Sequence, residues 1–224
     1  MLTLIGLVFL FVAVLLGALL VSYLKELMLN DHRPPVAGST LTMLIHFNKF
    51  FDYVALIAKK HRTFRFITPT HSEVYIADPI NVEHVLKSNF QNYTKDGKYS
   101  EKDDVLPDGF KIKKGDGISY MAYPMGRMTY IWGEDAEEFR PERWLHDGVF
   151  QPESPFKFTA FQGGPRICLG KEFAYRQMKI MAAFLVFFFK FRLVDESKEA
   201  TYRTMFTLHM DNGLHLYASP RSKA

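Results

Sequence analysis

The single cysteine of this 224-residue chain lies in the run F-Q-G-G-P-R-I-C-L-G, which extends from Phe161 to Gly170. A cysteine thiolate is a strong ligand for iron. Cys168 directly precedes a stretch with helical spacing, and the N-terminus of a helix favours negative charge on a nearby sulfur. The position therefore indicates an iron-ligating thiolate. The alternative is a small buried apolar residue, which is the usual role of a lone cysteine.

The neighbours of the cysteine suit a loop that lies against a flat ligand. Gly163 and Gly164 have no side chains to obstruct a close approach, and Pro165 stiffens the backbone. Arg166 can donate charge-assisted hydrogen bonds to an anionic group. Phe161 supplies an apolar wall that would shield the sulfur from water. The run thus predicts a binding loop for a flat, anionic cofactor.

With this spacing the run resembles the haem-binding loop of the cytochrome P450 superfamily, F-x-x-G-x-R-x-C-x-G. The fixed positions are filled by Phe161, Gly164, Arg166, Cys168 and Gly170. The resemblance implies that these residues bind haem b, with the Cys168 thiolate as axial ligand of the iron and Arg166 on a haem propionate. It assigns no catalytic residue beyond this cofactor-binding set.

A second motif, F-R-P-E-R-W at residues 139–144, resembles the P-E-R-F-type motif of the same family. In the family its arginine completes a buried Glu-Arg-Arg network, so the resemblance places Arg143 in such a structural network. A solvated surface arginine is the alternative. Glu137 and Arg140 have the spacing of the family's Glu-x-x-Arg motif, but they lie directly before Pro141, and we interpret that spacing as coincidence.

Residues 2–24 carry no charged side chain. At about 1.5 Å per residue a helix of this length reaches roughly 30 Å, the thickness of a bilayer core. The segment predicts a transmembrane anchor. A cleaved signal peptide is the alternative, but the basic first region and the A-x-A site are missing. Basic residues follow the span, which predicts a single-pass protein with its domain in the cytosol, and the resemblance implies the endoplasmic reticulum. Residues 25–40, which include H-R-P-P, are interpreted as a Pro-rich linker.

Residues 41–100 are predicted to form an N-terminal helix and strand portion. The order is an amphipathic helix from about Leu44 to His61, a β-hairpin of Thr63–Ile67 and Glu73–Ala77, and a helix from Asp78 and Pro79 to about Lys87. A polar loop then runs from Gln91 to Asp104. The resemblance places the first elements near the entrance of a substrate channel, so Tyr75 and Phe90 are either channel residues or core residues.

Residues 101–224 are predicted to contain a β unit, the haem-binding loop, a long apolar helix and a terminal β-hairpin. The predicted strands are Ile118–Met125, then Thr201–His209 and Leu214–Ala218 around the turn Asn212-Gly213. The helix after Gly170 is apolar on every face in its second half, which is typical of a helix surrounded by others. We therefore expect a large exposed apolar surface. His209 and His215 flank the last turn, but a metal pair lacks a third ligand, which favours exposed histidines.

These elements indicate a mixed α and β fold, mainly α, and specifically a truncated cytochrome P450-like fold with an N-terminal transmembrane helix. Residues up to about Ser100 resemble the beginning of the family and those from about Glu101 resemble its end. The central half has no counterpart. It would include the Glu-x-x-Arg helix, the oxygen-activation helix with its acidic residue and threonine, and the W-x-x-x-R helix.

The loop details resemble the plant fatty-acid ω-hydroxylase group. This implies a haem-thiolate mono-oxygenase that hydroxylates an apolar small molecule such as a fatty acid with electrons from an NADPH-dependent reductase, impaired by the missing centre. Alternatives are a non-catalytic truncated membrane protein or interaction remnant, and a Cys168 redox sensor, which lacks a resolving cysteine. A net charge of +4 with dispersed basic residues argues against a nucleic-acid partner.

Overall fold

The computed structural model describes residues 2–28, 32–93, 99–204 and 208–221. Its α-helices, in chain order, are α1 (Leu2–Met28), α2 (Thr40–Ile45), α3 (Phe50–Lys60), α4 (Pro79–Glu83), α5 (Ala122–Met125), α6 (Thr129–Trp132) and α7 (Lys171–Phe188). A π-helical turn, His84–Ser88, continues α4. The described part is therefore mixed α and β, with α1 and α7 as its longest helices.

Helix α1 begins where the apolar run begins and passes the predicted end of the anchor by four residues. The part from Gly6 to Met28 is long and apolar enough to cross a membrane. The predicted linker is correspondingly shorter than residues 25–40, because Lys25–Met28 is helical and Val36–Ser39 is a strand. Only the segment between these elements can act as a connection.

The strands, in chain order, are β1 (Val36–Ser39), β2 (Thr63–Ile67), β3 (Ser72–Ile76), β4 (Asp104–Val105), β5 (Lys111–Ile112), β6 (Gly117–Tyr120), β7 (Leu145–His146), β8 (Val149–Phe150), β9 (Phe189–Leu193), β10 (Tyr202–Thr204), β11 (Leu208–Met210) and β12 (Leu216–Pro220). A four-stranded sheet has the order β1-β2-β3-β6. Strands β2 and β3 form the predicted antiparallel hairpin, whereas β1 pairs with β2 and β6 pairs with β3 in parallel. The remaining strands form two-stranded pairs.

The core lies around the β2–β3 hairpin, where aromatic and branched side chains fill both faces. Phe64, Phe66 and Ile76 are fully buried. The ring of Tyr75 stacks on Phe64 with centroids 5.6 Å apart. Only 6% of Tyr75 is exposed, which places it in the core. Burial of this apolar area is the main stabilising contribution to the sheet.

The strand expected over residues 118–125 ends at Tyr120 instead. Met121 N–H still donates to the Ile76 carbonyl at 3.1 Å, and α5 begins at the next residue. Pro124 explains the change, because it has no N–H for a sheet ladder but is tolerated in the first turn of a helix. The amphipathic helix expected from about Leu44 is likewise divided, by a 3-10 turn at Phe47–Lys49 between α2 and α3.

The predicted terminal hairpin is wrong in its pairing. Strand β12 is antiparallel to β9, in a register that runs from Leu216 opposite Leu193 to Pro220 opposite Phe189. Strand β10 pairs with β11 instead. Asn212 and Gly213 do adopt the positive φ values of a tight turn, 60° and 68°. The turn nevertheless joins two different sheets. Residues 205–207 of the predicted strand lie outside the described residues.

Helix α7 confirms the expected exposed apolar surface. None of its described residues is buried. The exposed fractions include 72% for Phe173, 68% for Ile180 and 74% for Phe187. A contiguous apolar face of this kind favours contact with another surface.

Helix α4 begins as predicted, since Asp78 is its N-cap and Pro79 its first residue. The Asp78 carboxylate accepts the Ile80 N–H at 2.9 Å. We expect Asp78→Ala to lower the free energy of unfolding by about 1 kcal/mol in a urea titration followed by circular dichroism. Asp78→Asn is the control, because it keeps a capping oxygen and loses the charge that pairs with the exposed Arg62, a pair that contributes little. Equal losses would contradict the capping role.

Candidate cofactor-binding loop

The loop that carries the cysteine is closed on itself by backbone hydrogen bonds. Cys168 N–H donates to the Phe161 carbonyl at 2.9 Å, and Lys171 N–H donates to the Cys168 carbonyl at 3.1 Å. Gly170 is the N-cap of α7, and a Cβ built on it would lie 3.9 Å from Cys168 Sγ. Cys168 is a free, exposed thiol in front of an 18-residue helix. The expected position of the sulfur is therefore confirmed, and the buried alternative is wrong.

The two glycines of the loop serve protein packing as well as loop shape. Gly164 has φ +61°, and a Cβ there would lie 2.1 Å from the carbonyl oxygen of Leu86. A Cβ on Gly163 would lie 2.8 Å from the ring of Phe156. The close approach at Gly164 is thus made by the π-helical turn after α4. Sequence reasoning attributed it to a flat ligand and missed Leu86, which nothing in the local pattern indicates.

Arg166 packs against the same N-terminal portion of the chain as Gly164 does. Its Nη2 donates to the Tyr93 carbonyl at 2.7 Å. Its guanidinium carbon lies 4.8 Å from the centroid of the Phe90 ring. A carbonyl and a ring are therefore contacts of the charged group that was expected on an anionic ligand. Phe90, half-buried, is a contact of this arginine.

The side of the loop around the sulfur is open. Phe161 is half-buried, with its ring centroid 4.9 Å from that of Tyr175 in α7. Ile167 is 41% exposed and Leu169 is fully exposed. Apolar groups on this surface suit an apolar macrocycle next to the thiol. Phe161 contributes to the wall, but it leaves the sulfur accessible.

Arg143 lies outside the loop, in a 3-10 turn formed by Pro141–Trp144. It donates to the Trp132 carbonyl at 3.1 Å and to the Asp135 carbonyl at 2.9 Å. Asp135 Oδ1 lies 3.5 Å away. Arg143 therefore ties the F-R-P-E-R-W motif to α6, which is a structural role. The Glu-Arg-Arg network expected by resemblance stays a prediction.

Glu137 and Arg140 form ion pairs with other residues, as expected if their Glu-x-x-Arg spacing is a coincidence. Glu137 Oε1 lies 3.0 Å from Lys59 Nζ, and Arg140 forms an ion pair with Asp135. Each charge has its own partner.

His209 and His215 are exposed, and the described ranges contain no group of three possible metal ligands.

A half-buried carboxylate holds the segment that contacts Arg166. Asp104 Oδ2 accepts the Tyr93 hydroxyl at 2.6 Å and the Asn89 amide at 2.9 Å, and it lies 2.8 Å from His84 Nε2. Burial alone would raise the pKa of Asp104, but these hydrogen bonds lower that pKa overall. The network joins residues 84–93 to β4 and thereby positions the Tyr93 carbonyl.

Residues 93–217 match the model of the cytochrome P450 family, more than half of the chain. The chain belongs to this family. Cytochrome P450 704C1 of Pinus taeda is 63% identical over 127 residues, which cover 56% of this chain and 24% of that protein. Cytochrome P450 86B1 of Arabidopsis thaliana is 52% identical over 127 residues, covering 57% and 22%. A Helianthus annuus cytochrome P450 is 42% identical over 120 residues, covering 54% and 77%. The matched region therefore spans about a quarter of the first two relatives.

The geometry fits one part of a haem site. The exposed Cys168 thiol at the start of α7, beside exposed apolar side chains, suits an axial ligand of haem iron. The Arg166 guanidinium carries five N–H donors, of which the Tyr93 carbonyl accepts one, so its role on a propionate stays a prediction. The loop therefore suits iron ligation through Cys168.

The packing of Gly164 can be measured with Gly164→Ala. The added methyl group meets both an unfavourable φ and the Leu86 carbonyl, so we expect the free energy of unfolding to fall by about 3 kcal/mol. Gly148→Ala is the matched control, because its φ is +76° and a Cβ there meets nothing within 4 Å. It should cost only about 1–2 kcal/mol in the same denaturation. Losses of the same size in both variants would rule out the close contact.

The Asp104 network predicts acid-sensitive stability. Because its pKa is lowered on folding, Asp104 stabilises the fold fully above its ordinary pKa near 4, and this contribution disappears as pH falls through the lowered value. The stability difference between wild type and Asp104→Asn should therefore shrink between about pH 6 and pH 3 in denaturant titrations. Asp103→Asn, at the exposed neighbouring position, is the control. A pH-independent difference for Asp104→Asn would exclude this linkage.

Proposed function

We propose that this chain is a haem-thiolate mono-oxygenase-like protein in which Cys168 ligates haem iron. The observation that carries the proposal is the exposed thiol held in front of α7, in a chain that belongs to the cytochrome P450 family. Bound haem supplies activation of molecular oxygen for insertion into a C–H bond. The residues of this chain bind and orient that group.

Each loop residue has a role in the proposal. Cys168 provides the thiolate, with Gly170 leaving its surroundings open, and Phe161 shields one side of the sulfur through its contact with Tyr175. Arg166 holds a propionate in this proposal while it also donates one hydrogen bond to the Tyr93 carbonyl. Gly164, four residues before Cys168, keeps the loop packed against the Leu86 carbonyl.

The substrate class, partner and location extend from the resemblance to plant fatty-acid ω-hydroxylases. The proposed substrate is an apolar small molecule such as a fatty acid, and an NADPH-dependent reductase supplies electrons. Helix α1, with a candidate span at Gly6–Met28, supports a single-pass membrane protein. The positive-inside rule places the remaining chain in the cytosol, and the family resemblance suggests the endoplasmic reticulum.

A non-catalytic membrane protein is the second candidate. The exposed apolar side chains of α7 favour it. An enclosed substrate pocket would need these side chains to be covered by other elements. In the first candidate, the described residues would supply the sulfur side of a haem site. In this alternative the working protein lacks the region that corresponds to the central half of other family members, and it does not activate oxygen.

The two candidates differ in haem ligation. The full chain, purified in detergent with haem added, is reduced and exposed to carbon monoxide, and its absorption spectrum is recorded. We expect the red-shifted band of thiolate-ligated haem, because Cys168 is exposed and accessible. Cys168→Ala should remove that band, whereas His209→Ala, which changes an exposed histidine, should retain it.

Circular dichroism establishes that each sample is folded. A folded wild-type protein without the thiolate band would overturn the haem-thiolate proposal and favour the non-catalytic candidate. A thiolate band that persists in Cys168→Ala, a variant without any cysteine, would show that the band does not report ligation by this chain and would also overturn the proposal.

A further inference from the structure

A buried cluster of charges joins the end of α1 to the sheet. Arg65 of β2 directs Nη1 to Glu26 Oε2 at 2.5 Å and Nη2 to the Glu26 carbonyl at 3.0 Å. Its Nε donates to the Pro34 carbonyl at 2.9 Å. Ser72 of β3 donates to the same Glu26 carboxylate at 3.2 Å. One guanidinium thus binds both the anchor helix and the segment that leads into β1.

A second arginine extends the cluster to the loop before β6. Arg33 pairs with Asp116 through both terminal nitrogens, and its Nη2 lies 3.7 Å from Glu26 Oε2. It also donates to the Lys111 carbonyl at 3.2 Å. Asp116 accepts the Lys113 N–H at 2.7 Å. The Glu26 carboxylate is therefore shared by arginines that are fixed at two different places on the sheet domain.

The burial of these groups makes the connection stiff. The side chains of Arg33, Arg65 and Asp116 are 2%, 3% and 6% exposed. Buried charges are tolerated only with well-placed partners, so removing one partner leaves the others uncompensated. A guanidinium also fixes the direction of its bonds, because its donors lie in one plane. Free rotation of α1 against the sheet would break several of these contacts together.

We propose that Glu26, Arg33, Arg65 and Asp116 form an anchor joint that holds the membrane helix at a fixed angle to the sheet. A bilayer that fixes α1 then sets the tilt and height of the sheet above the lipid. The Pro-rich segment acts as a braced connection rather than as a flexible tether. This proposal is independent of haem binding and requires only that α1 lies in a membrane.

Distances between spin labels on the full chain in lipid nanodiscs test the joint. In a Cys168→Ser background, one label pair is placed across the joint at Leu20→Cys and Lys60→Cys. A second pair, Lys60→Cys with Ile80→Cys, lies within the sheet domain and reports its integrity. We expect a narrow distance distribution for both pairs.

Glu26→Ala should broaden the distribution across the joint by about twofold or more, because both arginines lose their shared partner. The distribution within the domain should stay unchanged. Glu83→Ala is the matched control, since Glu83 forms only a surface pair with Lys87, and it should leave the anchor pair narrow.

Three outcomes would overturn the proposal. A broad wild-type distribution across the joint would show a flexible tether. No broadening in Glu26→Ala would show that the cluster does not hold the anchor. Broadening of both pairs in Glu26→Ala would show that the cluster supports the folding of the sheet instead of forming a joint.

Discussion

The parallel pairing of β6 with β3 brings the segments before and after the polar loop into one core. Ile118 and Tyr120 extend the sheet beside Val74 and Ile76, and Glu73 Oε1 accepts the Ser119 hydroxyl at 2.8 Å. Leu106 and Ile112, which precede β6, are buried in the same cluster. Because β6 is fixed there, the later loop can pack against α4 and its π-helical turn. The cysteine loop thus packs, through Gly164 and Leu86, on the core that contains this pairing.

The cysteine loop is held by contacts with backbone atoms. Gly164 faces the Leu86 carbonyl, and Arg166 donates to the Tyr93 carbonyl. Such contacts depend on the path of the chain, to which the Tyr93 side chain contributes through its hydroxyl. The Asp104 network fixes that path. The sulfur is thus placed by a scaffold in which residues before and after the polar loop cooperate.

The two long helices present different surfaces. Helix α1 is apolar over a membrane-crossing length and ends in the buried charges of the anchor joint. Helix α7 is apolar and exposed, but it begins at the cysteine loop and continues into β9. One end of this exposed apolar helix is connected to the cysteine loop and the other to a strand. Such a helix favours burial against another surface. This is the physical basis for the two functional candidates.

The sequence by itself determined the features that depend on local chemistry: the apolar helix, the β2–β3 hairpin, the Asp78 cap, the cysteine in front of α7 and the membership of a family recognised by that loop. These follow from propensity, turn residues and spacing over a few positions. Tertiary structure decided the partner of β12, the end of β6 at Tyr120, the contact of Arg166 with Tyr93 and the burial of Arg33 and Arg65. Those outcomes are contacts between residues that lie far apart in the chain. A local sequence pattern does not specify which distant residues meet, so only the packing of the core selects among the possible partners.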